Sequence, residues 1–302
     1  MEKNNKLSTV SEAFFRYLKR TESFSKNTFL AYKNDIKNFI LFLKNHKIEN
    51  LEDLDGNLII EYFQNFKTKY KGSTLGRNKS AIKKLLNYLR TCFKINLTES
   101  LSEIKIKKYE TKYKSVAVSV IFRVIESIKG KDFFSKRDKA MFLILYTTGI
   151  KASELKDLKM KDLNLSNKFL EVRGKFNRRL PFGEYVAEGI TTYLIEREKI
   201  MKMRNKSNRG YLFVERNGDG LTRQSVYLIV RKRSNNAGLG VNISPRVLRN
   251  SIFIHLLSSG AKKEDVKEML GNKILLPHFE KIADQNKVDS VYIYSHPILL
   301  DK

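Results

Sequence analysis

Apolar residues recur at three- and four-residue spacing through most of the first hundred positions, predicting amphipathic helices over residues 10–19, 25–46, 58–69 and 73–93. In the second of these, Phe29, Tyr32, Ile36, Phe39, Ile40 and Leu43 fall on one stripe, the expected core face, and lysines occupy the other faces. Ser25 is placed to cap this helix, and Gly72 with Ser73 to restart the chain before the fourth in the same manner. The periodicity then stops. From Ile104 to Lys114 the chain is dense in lysine and carries no sustained stripe, which predicts an extended linker.

Helices are expected again over 118–127 and 135–148, where Gly149 can end the second. Residues 169–173 alternate with a period of two, residues 174–179 can turn, and 179–182 can return, so a β-hairpin is expected. Further helices are expected over 184–203, 223–237, 246–259 and 263–270. The fold class that follows is mainly α, with a small β-hairpin or sheet in the C-terminal domain. The expected organisation is a helical domain at 1–103, a basic linker at 104–115 and a second domain at 116–302. The sequence has no internal repeat and no phosphate-cradling glycine loop; Gly218 and Gly220 make at most a turn.

Charge narrows the function. The 302 residues carry 59 Lys and Arg against 32 Asp and Glu, a net charge of +27. At 41% hydrophobic and with four prolines the chain is too apolar to be a disordered basic tail. A charge this large repels itself, and a polyanion such as nucleic acid is the default partner. The competing explanation is a Lys-, Asn- and Ile-rich composition written wherever a surface tolerates it. Cys92 is the single cysteine, and the four histidines (His46, His255, His278, His296) are not paired at ligand spacing, so no disulfide, metal or cofactor is expected. The opening lacks the apolar core of a signal peptide, and the apolar stretch at 140–146 is far short of a membrane span. A cytoplasmic protein without membrane contact is the expectation.

Five segments then stand in a meaningful order: Leu145-Tyr-Thr-Thr-Gly-Ile-Lys-Ala-Ser-Glu-Leu155; Val172-Arg-Gly-Lys-Phe-Asn-Arg-Arg-Leu-Pro181; Ser244-Pro-Arg-Val-Leu-Arg249, running into His255-Leu-Leu and Gly260; Met269-Leu-Gly-Asn272; and Tyr292-Ile-Tyr-Ser-His296. Together they resemble the tyrosine recombinase (phage integrase, Xer-type) family. The N-terminal half resembles that family's helical, SAM-like core-binding module, with Ser25, Thr28, Tyr32 and Phe39 on one helix and Ser73, Thr74 and Arg77 opening another. The resemblance implies a two-domain clamp on double-stranded DNA, working as a dimer or tetramer with like or unlike subunits. It also implies strand exchange through a 3′-phosphotyrosyl bond, with no metal and no cofactor.

Such chemistry needs a nucleophile, cations on the non-bridging oxygens, an acid for the leaving oxygen and a base for the tyrosine. Tyr294 matches the family nucleophile through Tyr294-Ser-His296, with Tyr292 as close competitor. Arg249 matches the second family arginine, and Lys175, after Gly174, the lysine that protonates the leaving oxygen. Three positions depart from the family. Lys151 stands where arginine is expected, Arg246 where the box opens with histidine, and Asn272 where Leu-Gly-His is expected. Lysine keeps charge without a bidentate fork, a guanidinium cannot act as a base, and an amide does not titrate. Residues 273–290 read as an insertion before the nucleophile, with His278 inside it.

Two readings therefore stand side by side: a divergent, slow recombinase, and a catalytically defective relative that binds DNA as an accessory or regulator. A basic RNA-binding helical protein is a third class.

Overall fold

The computed structural model describes residues 5–22, 24–70, 72–106, 114–174, 176–204 and 210–271. The chain divides into two compact units, Met1–Thr111 and Lys112–Lys302.

In the first unit, helices α1 (Leu7–Thr21), α2 (Lys26–Asn45), α3 (Gly56–Lys69) and α4 (Ser73–Phe93) surround one core. The stripe on α2 turns inward as its spacing requires. Ile36, Phe39 and Leu43 are fully buried, and Phe29, Tyr32 and Ile40 pack against the core edge. Ser25 Oγ accepts from the Thr28 amide at 3.1 Å, capping α2. At α4 the arrangement differs from that expected. Ser73 is already helical, and Gly72 holds the cap position at φ 61° with no side chain to accept a bond. The core also reaches into the stretch read as linker, because Ile104 is buried in it and Lys79 Nζ donates to the Ile104 carbonyl at 2.8 Å. Asp35 on α2, itself buried, accepts two hydrogen bonds from Arg77 on α4, at 2.8 and 3.0 Å. This bidentate pair fixes the guanidinium that the motif singled out.

The second unit holds α5 (Val118–Ser127), α6 (Phe133–Thr148), the single turn α7 (Ala152–Leu155), α8 (Glu184–Met203), α9 (Arg223–Asn236), α10 (Pro245–Ser258) and α11 (Lys263–Leu270). Helix α6 lies between α8 and α10, and every residue from Ala140 to Thr148 is buried. Its threonines are satisfied within the helix: Thr147 and Thr148 hydroxyls donate to the Leu143 and Ile144 carbonyls at 2.8 and 2.6 Å. The expected hairpin is present as β2 (Phe169–Val172) and β3 (Arg178–Pro181), and a short β1 (Leu163–Asn164) completes an antiparallel sheet in the order β1-β2-β3. The register pairs Leu170 with Leu180 and Val172 with Arg178. Alternation along β3 therefore puts Leu180 and Arg178 on the covered face, and α11 packs there.

Among the described residues no helix is long and apolar enough to cross a membrane.

Candidate active site

The site is built where the end of α6 meets the start of α10. Gly149 closes α6 in the left-handed region at φ 59°, and a Cβ there would come within 2.7 Å of Phe253 Cζ on α10. Glycine thus serves both the turn and the close approach. Ser244 caps α10 by accepting from the Val247 amide at 3.3 Å, and Pro245 occupies the first turn. Arg246 and Arg249 follow, three apart and so on one face.

Arg249 is 8% exposed. One of its terminal nitrogens donates to the Gly149 carbonyl and the other to the Leu270 carbonyl, the latter at 2.8 Å, while the guanidinium stacks 5.0 Å above the Phe253 ring. Burial, with Arg178 adding repulsion and Glu154 opposing it, pulls Arg249 down to about 10, so it stays charged at neutral pH. Lys151 precedes α7, and its backbone amide donates to Glu154 Oε2 at 2.9 Å, while its ammonium lies 3.8 Å from Glu154 Oε1. Burial is the main cause that holds the Lys151 ammonium below its usual range; Arg249 and Arg178 act in the same direction, against Glu154.

Lys151, Arg246 and Arg249 converge on one open cavity of about 500 Å³. Arg223 and Tyr227, on the first turns of α9, complete its wall, and none of the described residues that line it is acidic. Thr222 caps α9 through the Ser225 amide at 2.9 Å, so Arg223, like Arg246, is a cation in the first turn of a helix. That end of a helix carries partial positive charge, and a cation there is unfavourable until an anion joins it. The cavity is therefore suited to a phosphodiester: a buried guanidinium with fork geometry, three less buried cations, and no acidic residue among the described lining, Glu154 reaching only the Lys151 ammonium from outside it. Among the described residues no three His, Cys, Asp or Glu side chains are placed to hold a metal ion.

Of the six site residues read from the sequence, Lys151, Arg246 and Arg249 are brought together here. Lys175, Asn272 and Tyr294 lie outside the described residues, as do the competitor Tyr292 and His278. Sequence reasoning passed over four residues of this region. Glu154 sits three positions after Lys151, in the helical relation that lets a carboxylate reach back to the amide, and this spacing was visible. Arg178 stood in the quoted hairpin motif, but no role was assigned to it. Arg223 and Tyr227 gave no signal, since nothing local says which side of α9 faces a cavity.

Comparison with known proteins accords with this geometry. Residues 116–274 match the phage integrase family and residues 12–91 match the phage integrase N-terminal SAM-like domain. Tyrosine recombinase XerD of Halalkalibacterium halodurans is 28% identical over 298 residues, covering 95% of this chain and 97% of its own. Among solved structures, XerH site-specific recombinase bound to palindromic difH substrate, a post-cleavage complex, superposes with a TM-score of 0.69 at 19% identity, covering 95% of each chain. A lambda integrase tetramer bound to a Holliday junction gives 0.65 at 14% identity, covering 95% of this chain and 80% of the other. At these identities the two structures speak to the fold. The domain match across more than half of the sequence decides the family: this chain belongs to the phage integrase family, beside the Xer-type tyrosine recombinases.

Proposed function

We propose that this protein is a site-specific DNA recombinase that cuts and rejoins duplex DNA through Tyr294, at a rate well below that of a relative with an unaltered site. The observation that carries the proposal is the convergence of Lys151, Arg246 and Arg249 on one cation-lined cavity free of described carboxylates. In this reading Tyr294 Oη attacks phosphorus, the P–O5′ bond breaks, and the 3′-phosphate remains on the tyrosine. Lys175 gives its proton to the departing 5′ oxygen, while Arg249 and Lys151 neutralise the non-bridging oxygens as charge builds. Arg246 adds a phosphate contact but cannot take the tyrosine's proton, because a guanidinium stays protonated, so in this reading that proton passes to water. Asn272 supplies a neutral donor.

Loss of one aimed transition-state donor costs about 10²- to 10³-fold, and altered positions that act as a unit do not multiply. The XerH–DNA complex and the lambda integrase tetramer support duplex DNA as partner and an oligomer, dimeric or tetrameric, as the working form. The two-domain division proposed here is residues 1–103 and 116–302 about a basic linker. The test is trapping: nicked suicide duplexes drawn from the chain's own genomic neighbourhood are incubated with the protein, and a covalent protein–DNA adduct is sought on denaturing gels. Adduct formation is the expected result; its absence with every duplex that binds would overturn the cutting reading.

One observation favours a second reading. Two altered positions, Lys151 and Arg246, line one cavity while Arg249 is kept beside them, as in a protein that still grips DNA but no longer cuts it. Such an accessory protein would bind duplexes with sequence preference and trap none.

A further inference from the structure

Arg178 takes no part in the cavity described above, yet it touches three separate segments around it: the Lys151 turn, the hairpin turn and the end of α11. Its side chain is 3% exposed. Nη1 and Nη2 donate to Glu154 Oε1 and Oε2 at 3.1 and 2.9 Å, a bidentate pair with the carboxylate that also holds the Lys151 amide. Nε donates to the Met269 carbonyl at 2.9 Å, at the last turn of α11, beside the Leu270 carbonyl that Arg249 takes. Nη1 also lies 3.5 Å from the carbonyl of Phe176, the neighbour of Lys175 in the hairpin turn. Gly271 marks the same contact from the other side. It ends α11 at φ 59°, and a Cβ on it would come within 2.9 Å of Arg178 Nη1.

We infer that Arg178 is the positioning residue of this site: one planar guanidinium that fixes the Lys151 turn, the Lys175 hairpin and the end of α11 against one another. The inference rests on the reading that Tyr294 cuts DNA, since the chain runs from α11 through Asn272 to that tyrosine. The planar fork is what the arrangement requires. A lysine ammonium at the end of a flexible stem cannot serve a carboxylate in bidentate fashion and a carbonyl at once. Burial alone would raise Glu154, but the hydrogen bonds from Arg178 and from the Lys151 amide outweigh it and hold the carboxyl below its usual range. Glu154 is thus ionised when it binds Arg178.

The test compares wild type with Arg178→Lys, Gly271→Ala and the double variant Glu154→Gln with Arg178→Met. The double variant removes the ion pair without leaving a lone buried charge and keeps an acceptor for the Lys151 amide, so it guards against simple unfolding. Two quantities are measured: hydrogen exchange of the α11 amides, which does not depend on cleavage, and the single-turnover adduct rate at saturating suicide duplex together with the duplex Kd. In all three variants α11 exchange should rise about tenfold or more and the adduct rate fall about tenfold or more, with Kd within about twofold of wild type. A general structural defect would instead weaken binding and exchange protection throughout the unit. Unchanged α11 exchange overturns the inference, as does an unchanged adduct rate with α11 loosened. A wild type that traps nothing while α11 still answers to Arg178 overturns the cutting reading and leaves the clamp standing.

Discussion

Tyr146 Oη lies 2.9 Å from His255 Nδ1, joining the buried interior of α6 to α10 two residues beyond Phe253. Burial holds the His255 imidazole below its usual range, against an opposing hydrogen bond with the Val116 backbone. The unfolded chain therefore binds a proton more readily than the folded one. Stability contributed by neutral His255 is complete above about pH 6.5, the unfolded value, and is lost as pH falls from there toward the lower folded value. The exposed His46 is raised by the Phe42 carbonyl and Glu61, so its contribution has the opposite sign. Urea unfolding followed by far-UV circular dichroism, in wild type and His255→Gln, isolates the effect. The wild type should lose more stability than the variant between pH 7.5 and 5.5, and equal losses would refute it. Tyr146→Phe, which leaves Nδ1 without this partner, should cost about 1–3 kcal/mol.

If the altered groups limit chemistry, Lys151→Arg, Arg246→His and Asn272→His combined should raise adduct formation above wild type. The gain expected is about tenfold or more, since the restored arginine fork, the histidine able to act as a base and the titratable donor each act in the transition state. A triple variant that folds, binds duplex and traps no more than wild type would assign the limit instead to residues 273–290, read as an insertion, or to a missing partner.

Tyr292 and Tyr294 are two positions apart, and on a helix such neighbours point in different directions. Tyr294→Phe removes the attacking oxygen and keeps the ring, so it should abolish the adduct; Tyr292→Phe should be mild. The comparison is made on the restored background if wild type proves silent. An adduct that survives the first change and disappears with the second would reverse the assignment.

Duplex affinity should fall steeply with salt, because each neutralised phosphate releases condensed counterions. Replacing Lys105, Lys107 and Lys108 by Gln should flatten the dependence by about 0.9 in log–log slope for each phosphate left without its lysine, with little change in sequence preference. Filter binding across a salt series on specific and scrambled duplexes measures both. A salt-independent affinity is the outcome that would dismiss the phosphate-grip account.

The long elements were legible because each has one wet face: α2, α4 and α8 fall within a few residues of where spacing put them. Helix α6 was found for another reason. It is buried all round from Ala140 onward, so length and the closing Gly149 marked it rather than periodicity. The brief pieces were silent. β1 has two residues, too few for alternation to register, and α7 is a single turn whose start is fixed by the Glu154 carboxylate and not by a preceding cap. The same division runs through the site. Arg249 and Lys151 could be read because motif and chemistry coincide in them. Arg178 could not, since a strand arginine reads as solvated unless one knows that Glu154 and the Met269 carbonyl wait on the covered face. Partners that come from distant segments leave no trace in local pattern.

The carbonyls that hold Arg249 also decide when its freedom is lost. A long cationic side chain has about 2 kcal/mol of rotamer entropy to give up when it is fixed. For Arg249 this loss falls on folding, because Gly149 and Leu270 set the plane of the fork before any phosphate arrives. For Lys151, whose side chain is 42% exposed and whose nearest carboxylate oxygen is 3.8 Å away, the loss would fall on the proposed binding of DNA. The two cations therefore divide the work in time. In the proposed DNA complex, one would present a ready-made shape that selects the phosphate's orientation and the other would close on it afterwards, the arginine setting how specifically the oxygens are seated and the lysine how long they stay.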